Sequence, residues 1–175
     1  MKQLVIMAAV ATMTMLSACQ MPNSTKPACM PGIHDAKVVD GLSVALDAPQ
    51  RELVRGQALS VTVTAKNVSK KVIEIVAGNG APVQVSVARR TAAGLEVVKT
   101  FPENVAQVAM KWSLAPGAER KFPLTLPMSL DLPTGEPLRL TAQLNGRPDV
   151  APGGWVEIRL DTTACQPVTS APAAK

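Results

Sequence analysis

The side chains that could do chemistry in this chain are few: three cysteines, one histidine and a scatter of carboxylates. Cys19, Cys29 and Cys165 could each serve as nucleophile, metal ligand, disulfide partner or site of modification. His34 is the sole imidazole, so a Ser-His-Asp or Cys-His constellation could be built only around it. It stands in "MPGIHDAK", shortly after Cys29, and is expected to be a solvated or packed histidine. With one histidine and no acidic cluster, a zinc site lacks ligands. Asp35, Asp40 and Asp47 form the nearest acidic set and suggest no acid and base pair, although such a pair can be assembled from distant strands. "GNGAP" at 78–82 has neither the lysine nor the hydroxyl of a phosphate loop, and a strand follows it, so it reads as a hairpin turn. No catalytic residue, metal or cofactor is assigned, and the chain is expected not to be an enzyme.

Cys19 has a distinct setting. Residues 1–18 hold one charge, Lys2, and then the apolar run "LVIMAAVATMTML", shorter than the ~20 residues of a membrane-crossing helix. A basic start, a short apolar middle and small residues at the end describe an export signal. Leu16-Ser17-Ala18-Cys19 resembles the lipobox of bacterial lipoproteins, whose cysteine becomes the lipidated first residue of the mature chain. The alternatives are an ordinary signal peptide cleaved after Ala18 and a cytosolic helix. The resemblance implies three acyl chains on Cys19. Each buried methylene contributes ~0.8 kcal/mol and one chain alone binds marginally, so three would hold the protein permanently on membrane lipid. Gln20 rather than Asp follows the cysteine, which in the lipoprotein sorting pattern implies the outer membrane, facing the periplasm.

In that oxidising compartment Cys29 and Cys165 are expected to pair, the alternative being two free thiols. They bracket residues 29–165, a usual size for one domain. A bridge across so long a loop contributes ~5 kcal/mol at most in the chain-entropy description. Residues 19–28 read as a tether, with an average reach of about 17 Å, or about 30 Å when extended. Residues 166–175 read as a disordered tail. The charge is mildly positive, 18 basic against 13 acidic side chains, and scattered, with no Tyr and two Phe. That leaves no series of base-stacking platforms, so nucleic acid is not an expected partner.

Positioning falls to β-strands, because apolar residues recur at every second place. Leu42, Val44 and Leu46 share one face, as do Leu59, Val61, Val63 and Ala65. Further strands follow with Ile73 and Ile75, with Val83, Val85 and Val87, and in the short piece "LEVVKT". The last three carry Phe122, Leu124 and Leu126, then Leu138, Leu140 and Ala142, then Val156, Ile158 and Leu160. Turn residues fall between nearly every pair, among them "VRGQ", "APG" and "PTGEP". The exception is "ENVAQVAMKW" at 103–112, where Val105, Val108 and Trp112 fit a one-sided helix, a loop over the sandwich edge being the alternative. The expected fold is all-β, a two-layer antiparallel immunoglobulin-like sandwich of about eight strands.

At "LSVTVTAKNVSKKVIEI" the strand ending in Lys66-Asn67, with its polar turn and second strand, resembles the BsuPI-type intracellular proteinase inhibitor domain, an immunoglobulin-like sandwich. Leu114-Ala115-Pro116-Gly117 resembles that family's Leu-x-Pro-Gly turn, and "TGEPLRLTAQL" its late Gly-x-Tyr strand. The likeness covers roughly residues 40–145. Val83, Val85 and Leu138 stand where the family usually has aromatics, which weakens transfer of inhibition more than transfer of fold. The resemblance implies a protease-facing loop at "GNGAPV" or "MKWSLAP".

Trp112 and Trp155 are each read as core or cap, with a contact surface as the alternative, since Trp is enriched at binding hot spots. The candidate partner contacts are therefore the segment Met110-Lys111-Trp112-Ser113 and the turn Gly78-Asn79-Gly80. The expected role is a lipid-anchored module that binds an unidentified periplasmic or envelope protein. Within that role it inhibits a proteinase or serves, pilotin-like, as an accessory lipoprotein in the assembly of an envelope or secretion machine.

Overall fold

The structure, a computed structural model, describes residues 31–128 and 132–159. Cys19, Cys29 and Cys165 lie outside the described residues, as do the leader, the tether and the tail.

Eleven strands and no helix appear among the described residues. One sheet orders β1 (Ile33–Val39), β2 (Leu42–Ala48), β4 (Ala58–Asn67) and β9 (Glu119–Pro127) side by side. A second orders β3 (Glu52–Val54), β11 (Gly153–Arg159), β10 (Pro137–Leu144), β6 (Val83–Thr91) and β7 (Gly94–Phe101). β5 (Ile73–Ala77) and β8 (Met110–Leu114) pair with each other. They lie in two of the crossings of the chain between the sheets, β4 to β6 and β7 to β9. All pairings are antiparallel except the short parallel one between β3 and β11.

The expected faces form the core. Leu42, Val44 and Leu46 of β2, and Leu59, Val61, Val63 and Ala65 of β4, are buried. They belong to one cluster with Val83, Val85 and Val87 of β6, with Leu138, Leu140 and Ala142 of β10, and with Val156 of β11. Burial of each such Val or Leu contributes roughly 1.5–3 kcal/mol. The filling is aliphatic apart from Phe101, Trp112 and Phe122, so strand alternation alone fixes which side of each strand faces inward.

Three strands exceed the expected eight. β1 pairs with β2 across Asp40-Gly41, both at positive φ, 49° and 77°, the backbone of a two-residue hairpin turn. β3 is three residues long. β8 replaces the end of the helical alternative for 103–112: residues 105–109 have no regular structure, and Met110–Leu114 alternates exposure as a strand. Val105 and Val108 precede that strand, Val108 is 60% exposed, and pairing of Met110–Leu114 with β5 takes the place of a helical turn.

The end of the fold where β4, β8 and β9 meet is tied by a buried amide. Asn67, fully buried, donates from Nδ2 to the carbonyls of Lys71 (2.7 Å) and Leu114 (2.9 Å). Its Oδ1 accepts from the Ser69 N–H (2.9 Å) and hydroxyl (2.8 Å). Its backbone N–H donates to Ala118 and its carbonyl accepts from Gly117. Removing the amide strands the Leu114 carbonyl in the interior. Asn67→Ala is therefore expected to cost about 2–3 kcal/mol, and Ser69→Ala, which keeps the amide, about 1 kcal/mol or less. Urea unfolding with an unchanged slope checks both.

Candidate functional site

Ala77, the last residue of β5, pairs with Met110, the first of β8. The register therefore brings the two candidate segments, Gly78-Asn79-Gly80 and Met110-Lys111-Trp112-Ser113, to one end of the β5–β8 ribbon. Met110–Ser113 is a strand there and not a loop. Trp112 is buried and packs edge-on against Phe122, ring centroids 5.6 Å apart. Its indole N–H has no hydrogen-bond partner. Lys111 and Ser113 point to solvent, and Lys111 pairs with Glu74 at 2.9 Å.

The 78–82 turn is held from both sides. Asn145, nearly buried, donates from Nδ2 to Asn79 Oδ1 (2.8 Å) and to the Ala81 carbonyl (2.7 Å). The Gly80 N–H donates to the Ala106 carbonyl at 2.7 Å. Gly146 lets this corner close: its φ is +91°, and a Cβ there would lie 2.3 Å from the Val76 carbonyl oxygen, too close for any other residue.

Between that turn, the 102–106 segment and the start of β9 lies a cleft of about 430 Å³, within the range of ligand-binding pockets. Pro82, Pro102, Val105, Phe122, Pro123 and Leu124 supply apolar walls, and Arg120 and Lys121 are its charged lining residues. The lining holds no carboxylate. The Arg120 guanidinium stands 5.3 Å from the Trp112 ring centroid and 5.4 Å from that of Phe122. The rings attract the cation without neutralising it, and among the described residues no carboxylate pairs with it. Lys121 is partnered by Glu119 at 3.3 Å. Such a cleft suits an apolar side chain adjoining a carboxylate. Arg120, Phe122, Pro102 and Pro123 are not among the sequence candidates, whereas Pro82 lies in the "GNGAPV" loop. The only local sign was the basic pair Arg120-Lys121 beside a buried aromatic.

The remaining titratable residues are dispersed. Asp35 accepts the Gly153 N–H at 2.7 Å, and Asp40 lies 3.5 Å from Arg147. Arg147 also binds Asp149 at 2.8 Å, which raises the guanidinium pKa and lowers that of the carboxyl. Asp47 faces His34 across β1 and β2, and its carboxylate hydrogen-bonds Nδ1. That hydrogen bond, with the charge of Asp47, raises the His34 pKa above 6.5. No group of three metal-ligating side chains occurs among the described residues.

No family model matches the sequence, and no curated protein matches it. The likeness to the BsuPI-type inhibitors thus has no support from a family model. Among solved structures, the sporulation control protein Spo0M from Bacillus subtilis is similar over 70% of this chain and 51% of its own, with TM-score 0.50 and 14% identity. This chain spans about half the length of that protein, and the similarity is one of β-rich fold. A β-glucosidase from Listeria innocua aligns at TM-score 0.41 and 19% identity over 72% of this chain and 17% of its own. The alkylpurine DNA glycosylase AlkC of Pseudomonas fluorescens aligns at 0.42 and 15% over 64% and 28%. At those scores neither bears on the chemistry of this chain.

The His34–Asp47 pair has a signed pH dependence. A pKa raised in the folded state gives stability that is full below the unfolded value near 6.5 and fades as pH rises through the folded value. The exposed imidazole should titrate by NMR above 6.5, and Asp47→Asn should return it to the ordinary value. A wild-type midpoint at or below 6.5 contradicts the pairing.

Proposed function

We propose that this chain is a lipid-anchored, non-enzymatic module of the bacterial envelope that holds a segment of a partner protein in the cleft beside Arg120. The observation that carries the reading is the unneutralised guanidinium stacked on Trp112 and Phe122 at the mouth of an apolar cleft. A peptide with an apolar side chain next to a carboxylate fills both features. Edge-strand addition at this place is disfavoured, because β9 carries Pro123 and Pro127 on an edge of its sheet, and proline supplies no ladder donor. Recognition therefore rests on side chains entering the cleft.

Inhibition of a proteinase is the sharper form of the same reading. A loop that enters a protease must be exposed and unpaired. "MKWSL" is a paired strand and the 78–82 turn is fastened by Asn145, whereas residues 103–109 are largely exposed and without regular structure. In this form, 103–109 is the segment presented. The accessory role in an envelope or secretion machine uses the cleft itself, with the partner's peptide as guest.

Affinity capture from detergent-solubilised envelopes, with the lipidated protein as bait, separates the two. Arg120→Glu is the appropriate control, since it reverses the charge on an exposed side chain. Trp112→Ala is not, because truncating a buried Trp costs about 3–5 kcal/mol and reports folding. Loss of a retained protein with Arg120→Glu supports the module. A protease retained whether or not Arg120 is reversed selects inhibition through 103–109, and components of a machine lost with Arg120→Glu select the accessory role. Retention unchanged by Arg120→Glu contradicts the cleft as the contact.

A further inference from the structure

The second tryptophan belongs to another face. Trp155 lies in β11 opposite Arg139 of β10, and the guanidiniums of Arg90 and Arg139 stand 5.2 Å and 5.5 Å from its ring centroid. Among the described residues neither arginine has a carboxylate partner. Two cations drawn to one indole repel each other, and an anion between them would relieve that repulsion. Register extends the face: Arg139 is opposite Ala88, Ala88 opposite Val97, and Arg90 opposite Leu95. Directly opposed residues share a side of the sheet, which places Leu95 and Val97, 55% and 59% exposed, beside the two arginines. Glu96 is held by Arg89 at 2.8 Å, and Glu157, on the same strand as Trp155, has a partner of its own.

A free anion or an acidic peptide would use the guanidiniums and leave Leu95 and Val97 in water. A membrane surface uses all five side chains. Arginine binds phosphate in a bidentate manner, tryptophan favours the headgroup level, and protruding aliphatics reach the acyl boundary. The chain also enters the domain beside this strand. The Ile33 side chain lies against Gly154 on the core side of that strand, the side away from Trp155, where a Cβ would sit 2.5 Å from Ile33 Cγ2. Arg51 donates to the Gly32 carbonyl (3.2 Å) and accepts from the Glu157 N–H (2.8 Å).

We propose that the face formed by Trp155, Arg90, Arg139, Leu95 and Val97 rests on the membrane, with lipid phosphates between the two arginines. It rests on the reading of Cys19 as the anchor, and it turns the sheet that carries β9 away from the bilayer. The test reconstitutes the full processed protein in vesicles of phosphatidylethanolamine and phosphatidylglycerol that carry a fluorescence quencher near the headgroup. Trp155 is expected to be quenched, the quenching to vanish in Trp155→Phe, which leaves only the buried Trp112, and to be lost in the Arg90→Glu, Arg139→Glu double variant. Intact mass first reports acyl chains on Cys19. A mass without them removes the anchor, and the orientation with it. A lipidated chain whose Trp155 is unquenched, or equally quenched in the double variant, overturns the orientation alone.

Discussion

The buried amide of Asn67 is the interaction on which the candidate site depends. It terminates β4, fixes the end of β8 through the Leu114 carbonyl and, through its backbone, holds the turn that starts β9. Trp112 sits two residues before Leu114 and Arg120 two residues after Ala118, so one fully satisfied side chain sets the separation of the indole and the guanidinium. A buried amide with all four of its hydrogen bonds made costs little to bury, and it specifies one arrangement where an aliphatic contact would tolerate several. The same economy appears at Asn145, which locks the 78–82 turn on the opposite wall of the cleft.

Around these two amides the fold is a sandwich of Val and Leu, and the lack of helix among the described residues has a functional consequence. Among the described residues the elements outside the two main sheets are turns and the ribbon β5–β8, and the cleft forms where the chain crosses between sheets. The edges are treated unequally. β9 is blunted by prolines, whereas β7 keeps exposed Leu95 and Val97. That contrast fits a molecule whose two sheets meet different surroundings, lipid on one side and protein beside the other.

Much of this was legible in the sequence because alternation survives wherever one face is buried. The inward rows of β2, β4, β6 and β10 were readable residue by residue. β1 escaped notice because, as an edge strand with Ala36, Lys37 and Val38 all exposed, it shows almost no alternation, and its sign was instead the Asp40-Gly41 pair before Leu42. β3 is too short to carry a period. Asn67 stood out as the end of a strand, but its burial and its carbonyl partner at Leu114 depend on a contact remote in sequence. The cleft was half visible: Gly78–Gly80 and Trp112 were singled out, yet Arg120 and Phe122 reach them only through the crossing from β7 to β9. No spacing rule encodes that. Trp112 belongs to the core alternative of the sequence reading, and its contribution is to carry Arg120.

The central claim is that the cleft between the two sheets meets protein and that the outer face carrying Trp155 meets lipid. Site-specific photo-crosslinking in intact cells tests it directly, with a photoreactive residue placed at Lys121 beside the cleft or at Val97 on the arginine and tryptophan face. The account predicts a discrete protein adduct from position 121 and none from position 97. A protein adduct from 97 with none from 121 would contradict it.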